Sequence, residues 1–357
     1  MVSMLDCINR IPSVLNTIIR DREVTFRPLF EKFLERLEQT DEVMLIGSGT
    51  SYTSALTGKY LAEKASGLRV TVLPPNEFLH YISVRNKNAL YVFISQTGNS
   101  RLTNRALEFA RDAGYMTAVI SESAKTMAAK KADVFLDMHC GKEEYPMRTI
   151  GYSATVLTVM MLGIALGEWK GTMSSAEISA CLENAEAAAD NIPSVIQKTM
   201  EWLDHNRRSL LRADCLIFTG GGPLYGVALE GAVKVWETPQ MVSIGYEMEE
   251  GMHGPNYGYS QRHCVVVLND GGADNDRAVS LCRFMKYEKN NGFLIGVNPV
   301  ERNDLEFVPK GGDFCCLEFA AAVQIISCRL ATDQGRDLYA PHDNRVMMKY
   351  FRSHEED

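Results

Sequence analysis

The feature that most constrains the fold of this chain is an internal repeat with an offset of 173 residues. Written without gaps, the stretch GSGTSYTSALTG (47–58) lies over GGGPLYGVALEG (220–231), which pairs Gly49 with Gly222. The same offset brings the apolar run at 92–94 over a second apolar run at 265–267. Repetition at a fixed offset indicates that one structural unit occurs twice. We therefore predict two copies of a strand, a glycine-rich turn and a helix.

Short apolar runs of strand length recur along both halves of the chain. In the first half they are VMLIG (43–47), RVTVL (69–73), LYVFI (90–94), TAVI (117–120) and VFL (134–136). In the second half they are CLIFTG (215–220), MVSIG (241–245), CVVVLN (264–269) and FLIGV (293–297). Helical patterns lie between them, over about 152–212 among other stretches, and this alternation is typical of parallel βαβ units. The predicted fold is α/β, with two tandem doubly wound lobes and one or two helices over residues 1–40.

Composition narrows the class of protein. The net charge is −8 and no basic stripe is interleaved with aromatic residues, so we expect no nucleic-acid partner. Nine cysteines without a C-x-x-C motif are typical of reduced thiols, which favours the cytoplasm. The N-terminus lacks the layout of a signal peptide. The longest apolar run, 152–166, is too short and too often interrupted to cross a bilayer, so we expect a buried helix and no membrane partner.

The turn after the third apolar run reads Ser95-Gln96-Thr97-Gly98-Asn99-Ser100. In a parallel sheet, ligands bind beyond the carboxyl ends of the strands, where backbone N–H groups at helix N-termini suit phosphate. Thr50 and Ser51 form a second hydroxyl-bearing turn after the first run. Without a Walker lysine motif or a dinucleotide fingerprint, the two turns predict a phosphate monoester held by uncharged donors. The alternative is that these hydroxyls only cap helices.

Two further residues are candidates for proton transfer. The helical run LYGVALEGAVKVWE (224–237) ends in Glu237, where a carboxylate opposes the helix dipole. His253 lies in EMEEGMHGPNYG (247–258), a segment that we expect to be neither regular helix nor strand. A histidine on such a loop is well placed to meet a substrate. The alternatives are a solvated carboxylate at a helix end and a surface histidine.

The motifs GSGTS and SQTGNS, together with the duplication, resemble the tandem SIS (sugar isomerase) family, which includes the isomerase half of glucosamine-6-phosphate synthase. This resemblance implies that Glu237 carries a proton between C1 and C2 of a sugar, and that His253 helps to open the sugar ring. It also implies contacts with the rest of the substrate through Gly49 and Lys234. The residues implied to bind the phosphate are Thr50, Ser51, Ser95, Gln96, Thr97 and Ser100. Trp236 stands where the synthase has a second lysine.

The same resemblance implies the domain organisation. It gives N-terminal helices at 1–40, a first SIS domain at 41–192, a second SIS domain at 193–335 and a C-terminal tail at 336–357 that closes over the active site. In that tail, Asn344-Arg345 precedes Val346-Met347-Met348, and Lys349 matches a lysine that meets the open-chain carbonyl. The apolar side chains of the tail favour docking, although a charged disordered end is the alternative.

The resemblance is closest to fructoselysine- and glucoselysine-6-phosphate deglycases. We see no glutaminase segment that would supply ammonia, which favours release of an amine over synthesis. The predicted function is therefore cleavage of a 6-phosphorylated sugar–amine adduct to a hexose 6-phosphate and a free amine. An aldose–ketose phosphosugar isomerase, an amino-sugar phosphate deaminase and a non-catalytic phosphosugar sensor remain alternatives.

We expect no cofactor, no metal and a homodimer or higher homo-oligomer with shared active sites. Glu247, Glu249 and Glu250 either attract a lysine ammonium group or form a solvated acidic face.

Overall fold

A computed structural model describes residues 2–339 and 345–355 of the chain. The chain divides into two compact units. We call Val14–Glu143, Ile150–Leu182 and Pro341–Asp357 the first lobe, and Met1–Ser13, Glu144–Thr149 and Glu183–Ala340 the second lobe. The domain boundaries predicted at 40, 192 and 335 stay predictions.

The chain begins with one long helix, α1 (Met4–Glu38), interrupted by non-helical backbone angles at Phe33. The first lobe is built on a five-stranded parallel sheet in the order β2-β1-β3-β4-β5. Its strands are β1 (Glu42–Gly47), β2 (Arg69–Leu73), β3 (Leu90–Ile94), β4 (Met116–Ser121) and β5 (Val134–Asp137). The helices that follow α1 are α2 (Thr50–Ser66), α3 (Pro75–His80), α4 (Arg101–Asp112), α5 (Met127–Lys131), α6 (Ile150–Lys170) and α7 (Ser175–Leu211).

The second lobe contains another five-stranded parallel sheet, in the order β10-β9-β8-β6-β7. Its strands are β6 (Cys215–Gly220), β7 (Ser243–Glu247), β8 (His263–Asn269), β9 (Gly292–Gly296) and β10 (Leu305–Glu306). The remaining helices are α8 (Pro223–Glu237), α9 (Met248–Met252), α10 (Pro255–Gly258), α11 (Asn275–Glu288) and α12 (Cys316–Asp333). Short 3₁₀ turns occur at Gly312–Phe314 and Met347–Lys349.

The two sheets confirm the predicted duplication. When strands are numbered within each lobe, both sheets have the order 2-1-3-4-5, which is the flavodoxin-like doubly wound arrangement. The repeat extends to backbone angles at the glycine-rich turns. Gly49 has φ 57° and ψ −129°, and Gly222 has φ 53° and ψ −127°. These left-handed angles favour glycine, and each glycine immediately precedes a helix.

Two apolar helices lie inside the molecule. The segments Ile150–Lys170 and Gly312–Asp333 are long and apolar enough to cross a membrane. In each, however, 94% of the most apolar stretch of 18 residues is buried, as in the core helix of a globular domain. Helix α6 lies very close to α2, because a Cβ atom on Gly163 would come within 2.3 Å of Ala62 Cα. The prediction of a buried helix over 152–166 is confirmed.

The sequence patterns misplaced a few elements of the second lobe. Strand β7 begins at Ser243, two residues later than predicted, and β10 was not predicted. The expectation that 247–258 contains no regular helix was wrong, since two one-turn helices flank His253. Glu247 caps α9 through its side chain, and Pro255 occupies the first turn of α10, where proline is tolerated.

Candidate active site

The first turn of interest follows β1 in the first lobe. Gly49 precedes α2, and the amide of Ser51 donates to the Ser48 carbonyl at 3.1 Å. Thr50 and Ser51 are half-buried at the N-terminus of α2, a helix of 17 residues whose dipole favours an anion at this end. The turn therefore has the backbone geometry expected of an anion site.

The second turn follows β3, and glycine is required within it. The Gly98 amide donates to the Ser95 carbonyl at 3.1 Å, which closes the turn before α4. Gly98 has φ +70°, and an added Cβ would lie 2.4 Å from Thr126 Cβ. A side chain at this position would therefore meet both backbone strain and a steric clash.

The hydroxyl groups of these two turns differ in whether they have a hydrogen-bond partner within the protein. Within the described residues, the hydroxyls of Ser51, Ser95 and Thr97 have no hydrogen-bond partner, whereas Ser100 Oγ lies 2.9 Å from Thr103 Oγ1. Ser95 is buried and Thr97 half-buried. Unengaged hydroxyls beside helix N-termini can donate hydrogen bonds to a phosphate without first breaking internal bonds. We call residues 49–51 and 95–100 the phosphate turns.

Gln96 has a different environment from its neighbours. Its Nε2 donates to the carboxylate of Glu143 at 3.3 Å, and that carboxylate also accepts from the amides of Ile150 and Gly151 at the start of α6. A Cβ on Gly151 would come within 1.8 Å of Gln96 Oε1, so glycine makes room for the amide. The side chain of Gln96 is thus fixed by a buried carboxylate, and its predicted role in phosphate binding stays a prediction.

The described part of the C-terminal tail contacts one phosphate turn. The Arg101 amide donates to the Ser353 carbonyl at 3.0 Å, and the Glu355 amide donates to the Asn99 carbonyl at 2.7 Å. The apolar side chains between 346 and 351 are 41–83% exposed, and backbone at 353–355 makes the contact with the turn. The predicted docking of the tail over the active site stays a prediction. Lys349 lies in an exposed 3₁₀ turn, and Asn344 lies outside the described residues.

Helix α8 in the second lobe places three ionisable side chains on one face, because they are spaced four and three residues apart. The ammonium group of Lys234 lies 2.6 Å from Glu237 Oε2 and 3.5 Å from Glu230 Oε1. The side chains of Lys234 and Glu230 are wholly buried, and that of Glu237 is 31% exposed. We call these three residues the acid–base cluster.

Burial and neighbouring charge set the electrostatics of this cluster. Burial raises the pKa of Glu230 to about 7; Lys234 lowers it and Glu237 raises it further. Tyr145, on the segment 144–149, is also buried, which raises its pKa to about 12; Cys328 and Glu237 raise it further, whereas Lys234 lowers it. The cluster therefore holds one cation between two carboxyl groups in a poorly solvated environment.

The position of Glu237 at the end of α8 is explained by Lys234. A carboxylate at a helix C-terminus is disfavoured by the dipole, but a cation at 2.6 Å compensates it. The backbone there is closed by Thr238, whose amide and hydroxyl both donate to the Lys234 carbonyl, at 3.0 and 2.7 Å. Glu237 is therefore a paired and partly accessible carboxylate rather than a solvated one.

His253 has extended backbone angles between α9 and α10, and its side chain is 72% exposed. Its Nε2 lies 2.8 Å from Glu249 Oε1, and the other oxygen of Glu249 contacts Arg277 at 2.9 Å. Glu247 accepts from the amides of Glu249 and Glu250. Two of the three glutamates proposed to attract an ammonium group are therefore engaged locally, which leaves Glu250 exposed and without a side-chain partner in the described chain.

The contacts that several residues make in these sites were not predicted from the sequence. Glu230 lies four residues before Lys234 in a predicted helix, so helical spacing alone places it on the same face. Glu249 lies four residues before His253, but the helix that aligns them was not predicted. Glu143 gave no signal, because its partner Gln96 is 47 residues away in the sequence. Gln324 on α12, whose Nε2 donates to Glu230 Oε1 at 3.3 Å, gave none either, because 94 residues separate the two.

Comparisons with known proteins agree with this fold. Residues 36–165 match the family model described as the SIS domain. A glutamine–fructose-6-phosphate aminotransferase (isomerizing) from Campylobacter jejuni is 31% identical over 242 residues, which are 68% of this chain and 39% of that protein. Its counterpart from Caulobacter vibrioides is 25% identical over 318 residues, covering 85% of this chain and 51% of that protein. The chain spans about half the length of the curated relatives it matches, or less.

Solved structures extend the likeness to both lobes. A protein from Clostridium difficile 630, provisionally described as a phosphosugar isomerase, has a TM-score of 0.86 with 25% identity, covering 98% of each chain. The C-terminal domain of a glucosamine-fructose-6-phosphate aminotransferase from Francisella tularensis has a TM-score of 0.85 with 21% identity, covering 94% of this chain and 96% of that one. The family match at 36–165, the two like-ordered sheets and these structures together confirm the resemblance to tandem SIS proteins.

Proposed function

We propose that the chain is an enzyme that moves a proton between C1 and C2 of a 6-phosphorylated sugar and thereby releases an amine from a sugar–amine adduct. The observation that carries this proposal is the buried ammonium group of Lys234, 2.6 Å from the partly exposed carboxylate of Glu237. Transfer of a proton between adjacent carbons requires one base that can accept it from one carbon and return it to the next. A carboxylate held by a buried cation at a helix end has that capacity.

The substrate class is supported by the phosphate turns. The unengaged hydroxyls of Ser51, Ser95 and Thr97, together with the N-termini of α2 and α4, form a set of uncharged donors. Such donors suit a phosphate monoester, whose charge is then balanced by helix dipoles. The relatives named as fructose-6-phosphate aminotransferases act on a sugar of this class, which favours a hexose 6-phosphate unit.

The proposed reaction proceeds in three steps. His253 acts as the acid–base group that opens the sugar ring, oriented by Glu249 at 2.8 Å. For a ketoamine, Glu237 removes a proton from C1 and returns it to C2. The nitrogen loses its proton and the C2 oxygen gains one, so that the C1–N bond becomes an imine and C2 carries a hydroxyl group. Water then adds to the imine carbon and the C–N bond breaks. One adduct and one water give one hexose 6-phosphate and one amine, with no net oxidation or reduction.

A simple aldose–ketose phosphosugar isomerase is the main rival, and it uses the same residues. The likeness to the Clostridium difficile protein favours it, since the two chains cover 98% of each other. In this reaction the base moves a proton between C1 and C2 of an unmodified sugar, and no C–N bond breaks. A phosphosugar sensor is the second rival, because it would bind the ligand without any turnover.

The proposal is tested by incubating the protein in parallel with fructoselysine 6-phosphate, glucoselysine 6-phosphate, glucosamine 6-phosphate and fructose 6-phosphate. Free amine and hexose phosphates are measured in each reaction. We expect amine release from at least one of the first two adducts. Interconversion of fructose and glucose 6-phosphates without amine release would establish the isomerase instead, and binding without any conversion would establish the sensor.

A further inference from the structure

We propose that Glu230, together with Gln324, is a positioning residue that fixes the ammonium group of Lys234 against the carboxylate of Glu237. Glu230 lies one helical turn before Lys234, with its Oε1 3.5 Å from Lys234 Nζ. Gln324 on α12 donates to the same oxygen at 3.3 Å and to the Thr149 carbonyl, also at 3.3 Å. All three side chains of this contact, those of Glu230, Lys234 and Gln324, are fully buried.

Two oxygen atoms of this contact have no hydrogen-bond partner in the described chain, Glu230 Oε2 and Gln324 Oε1. Both are fully buried, and a buried acceptor without a donor is costly. A proton on Glu230 Oε2 removes the negative charge from a buried carboxylate that has no donor for this oxygen. The arrangement is therefore that of a carboxyl group which holds a proton and a contact that fits the neutral form.

The charges that face Glu230 support this assignment. On α8 these are Lys234 and Glu237, while α12 contributes the neutral Gln324. From the segment 144–149, the titratable side chain of Tyr145 interacts with Lys234 and Glu237. Desolvation raises the pKa of Glu230 to about 7, so the group exchanges its proton near neutrality.

The consequence for the cluster follows from counting charges. When Glu230 is protonated, the positive charge of Lys234 faces the negative charge of Glu237 at 2.6 Å. When Glu230 ionises, two carboxylates compete for the same ammonium group. This expectation rests on the proposed function: turnover should fall as Glu230 loses its proton. The ammonium group of Lys234, which positions the base Glu237, is then shared between Glu230 and Glu237.

The test compares the full-length protein with Glu230→Gln, which mimics the protonated form, and with Glu288→Gln as a matched control. Glu288 is an exposed glutamate on α11 in the same lobe, so its substitution makes the same chemical change away from the cluster. NMR spectra of protein labelled at glutamate Cδ and lysine Nζ are recorded against pH. The glutamate signal lost in Glu230→Gln identifies Glu230, and kcat and KM are measured over the same pH range.

We expect the Glu230 signal to titrate near pH 7, as its pKa predicts, and one lysine Nζ signal to move with the same midpoint. In the wild type, kcat should also fall with rising pH around the same midpoint. In Glu230→Gln, the lysine signal no longer shifts near pH 7, this fall in kcat is lost, and KM is unchanged. Glu288→Gln retains all three features.

A wild-type spectrum in which every glutamate titrates in the ordinary acidic range overturns the inference, and this holds even if Glu230→Gln fails to fold. A break in kcat that persists in a folded Glu230→Gln variant also overturns it. If the NMR result is as expected but no phosphosugar is converted, the positioning of Lys234 stands and the proposed function fails.

Discussion

Replacement of Glu230 by glutamine is expected to change how stability depends on pH. The pKa of this carboxyl group is raised from 4.5 to about 7 in the folded chain, mainly by burial. Between these values the folded state retains a proton that the unfolded state has lost. The linkage relation then requires the free energy of unfolding to fall as pH rises, because the folded state binds more protons. The stabilisation is present below the unfolded pKa and is lost as pH rises through the folded pKa.

The magnitude follows from the size of the pKa change. Because each tenfold change in proton affinity is about 1.4 kcal/mol, a rise from 4.5 to about 7 corresponds to about 3 kcal/mol. Glutamine cannot titrate, so relative to wild type the variant gains about 3 kcal/mol between about pH 4 and about pH 8. Urea unfolding across this range measures the difference, with Glu288→Gln as the control. A difference between variant and wild type that stays constant with pH would refute the assignment of a raised pKa to Glu230.

Three further predictions address the phosphate turns and the assembly. Gly98→Ala should lose about 1–3 kcal/mol of stability through backbone strain and overlap with Thr126. The matched control Gly114→Ala has a similar φ of +76° but open space around it, so an equal loss in both would rule out the steric part of the argument. Ser95→Ala should weaken hexose 6-phosphate binding about tenfold in calorimetry, through loss of one hydrogen bond to a charged group; unchanged affinity would remove Ser95 from the site. Gel filtration should show at least a dimer, and an active monomer would contradict shared active sites.

Much of the first lobe could be predicted because its strands are short, apolar and bounded by turns. The predicted runs 69–73 and 90–94 coincide with β2 and β3. The repeat offset was equally informative, since Gly98 and Gly271 are also 173 residues apart and have φ values of +70° and +82°. Positive φ angles of this kind can be predicted from the positions of glycines, because few residues other than glycine adopt them.

The surroundings of the candidate residues could not be predicted in the same way. The contact between Lys234 and Glu237 could have been predicted, since Lys234 lies three residues before Glu237 on a predicted helix. Gln324 reaches Glu230 across 94 residues of sequence, and Glu143 reaches Gln96 across 47. Such pairings depend on how helices pack on the sheet, and periodicity carries no information about them. The one-turn helices around His253 were missed because their capping residues, Glu247 and Pro255, resemble loop residues locally.

The measurement that tests the central claim most directly is amine release by wild type and by Glu237→Gln, with phosphosugar binding measured on the same samples. The account predicts that wild type converts a lysine adduct of a hexose 6-phosphate into equal amounts of lysine and hexose 6-phosphate. The variant should bind the adduct with nearly unchanged affinity and lose at least about a hundredfold in turnover, because the positioned base is gone. Unaltered turnover in the variant, or no amine release from any adduct by wild type, would contradict the account.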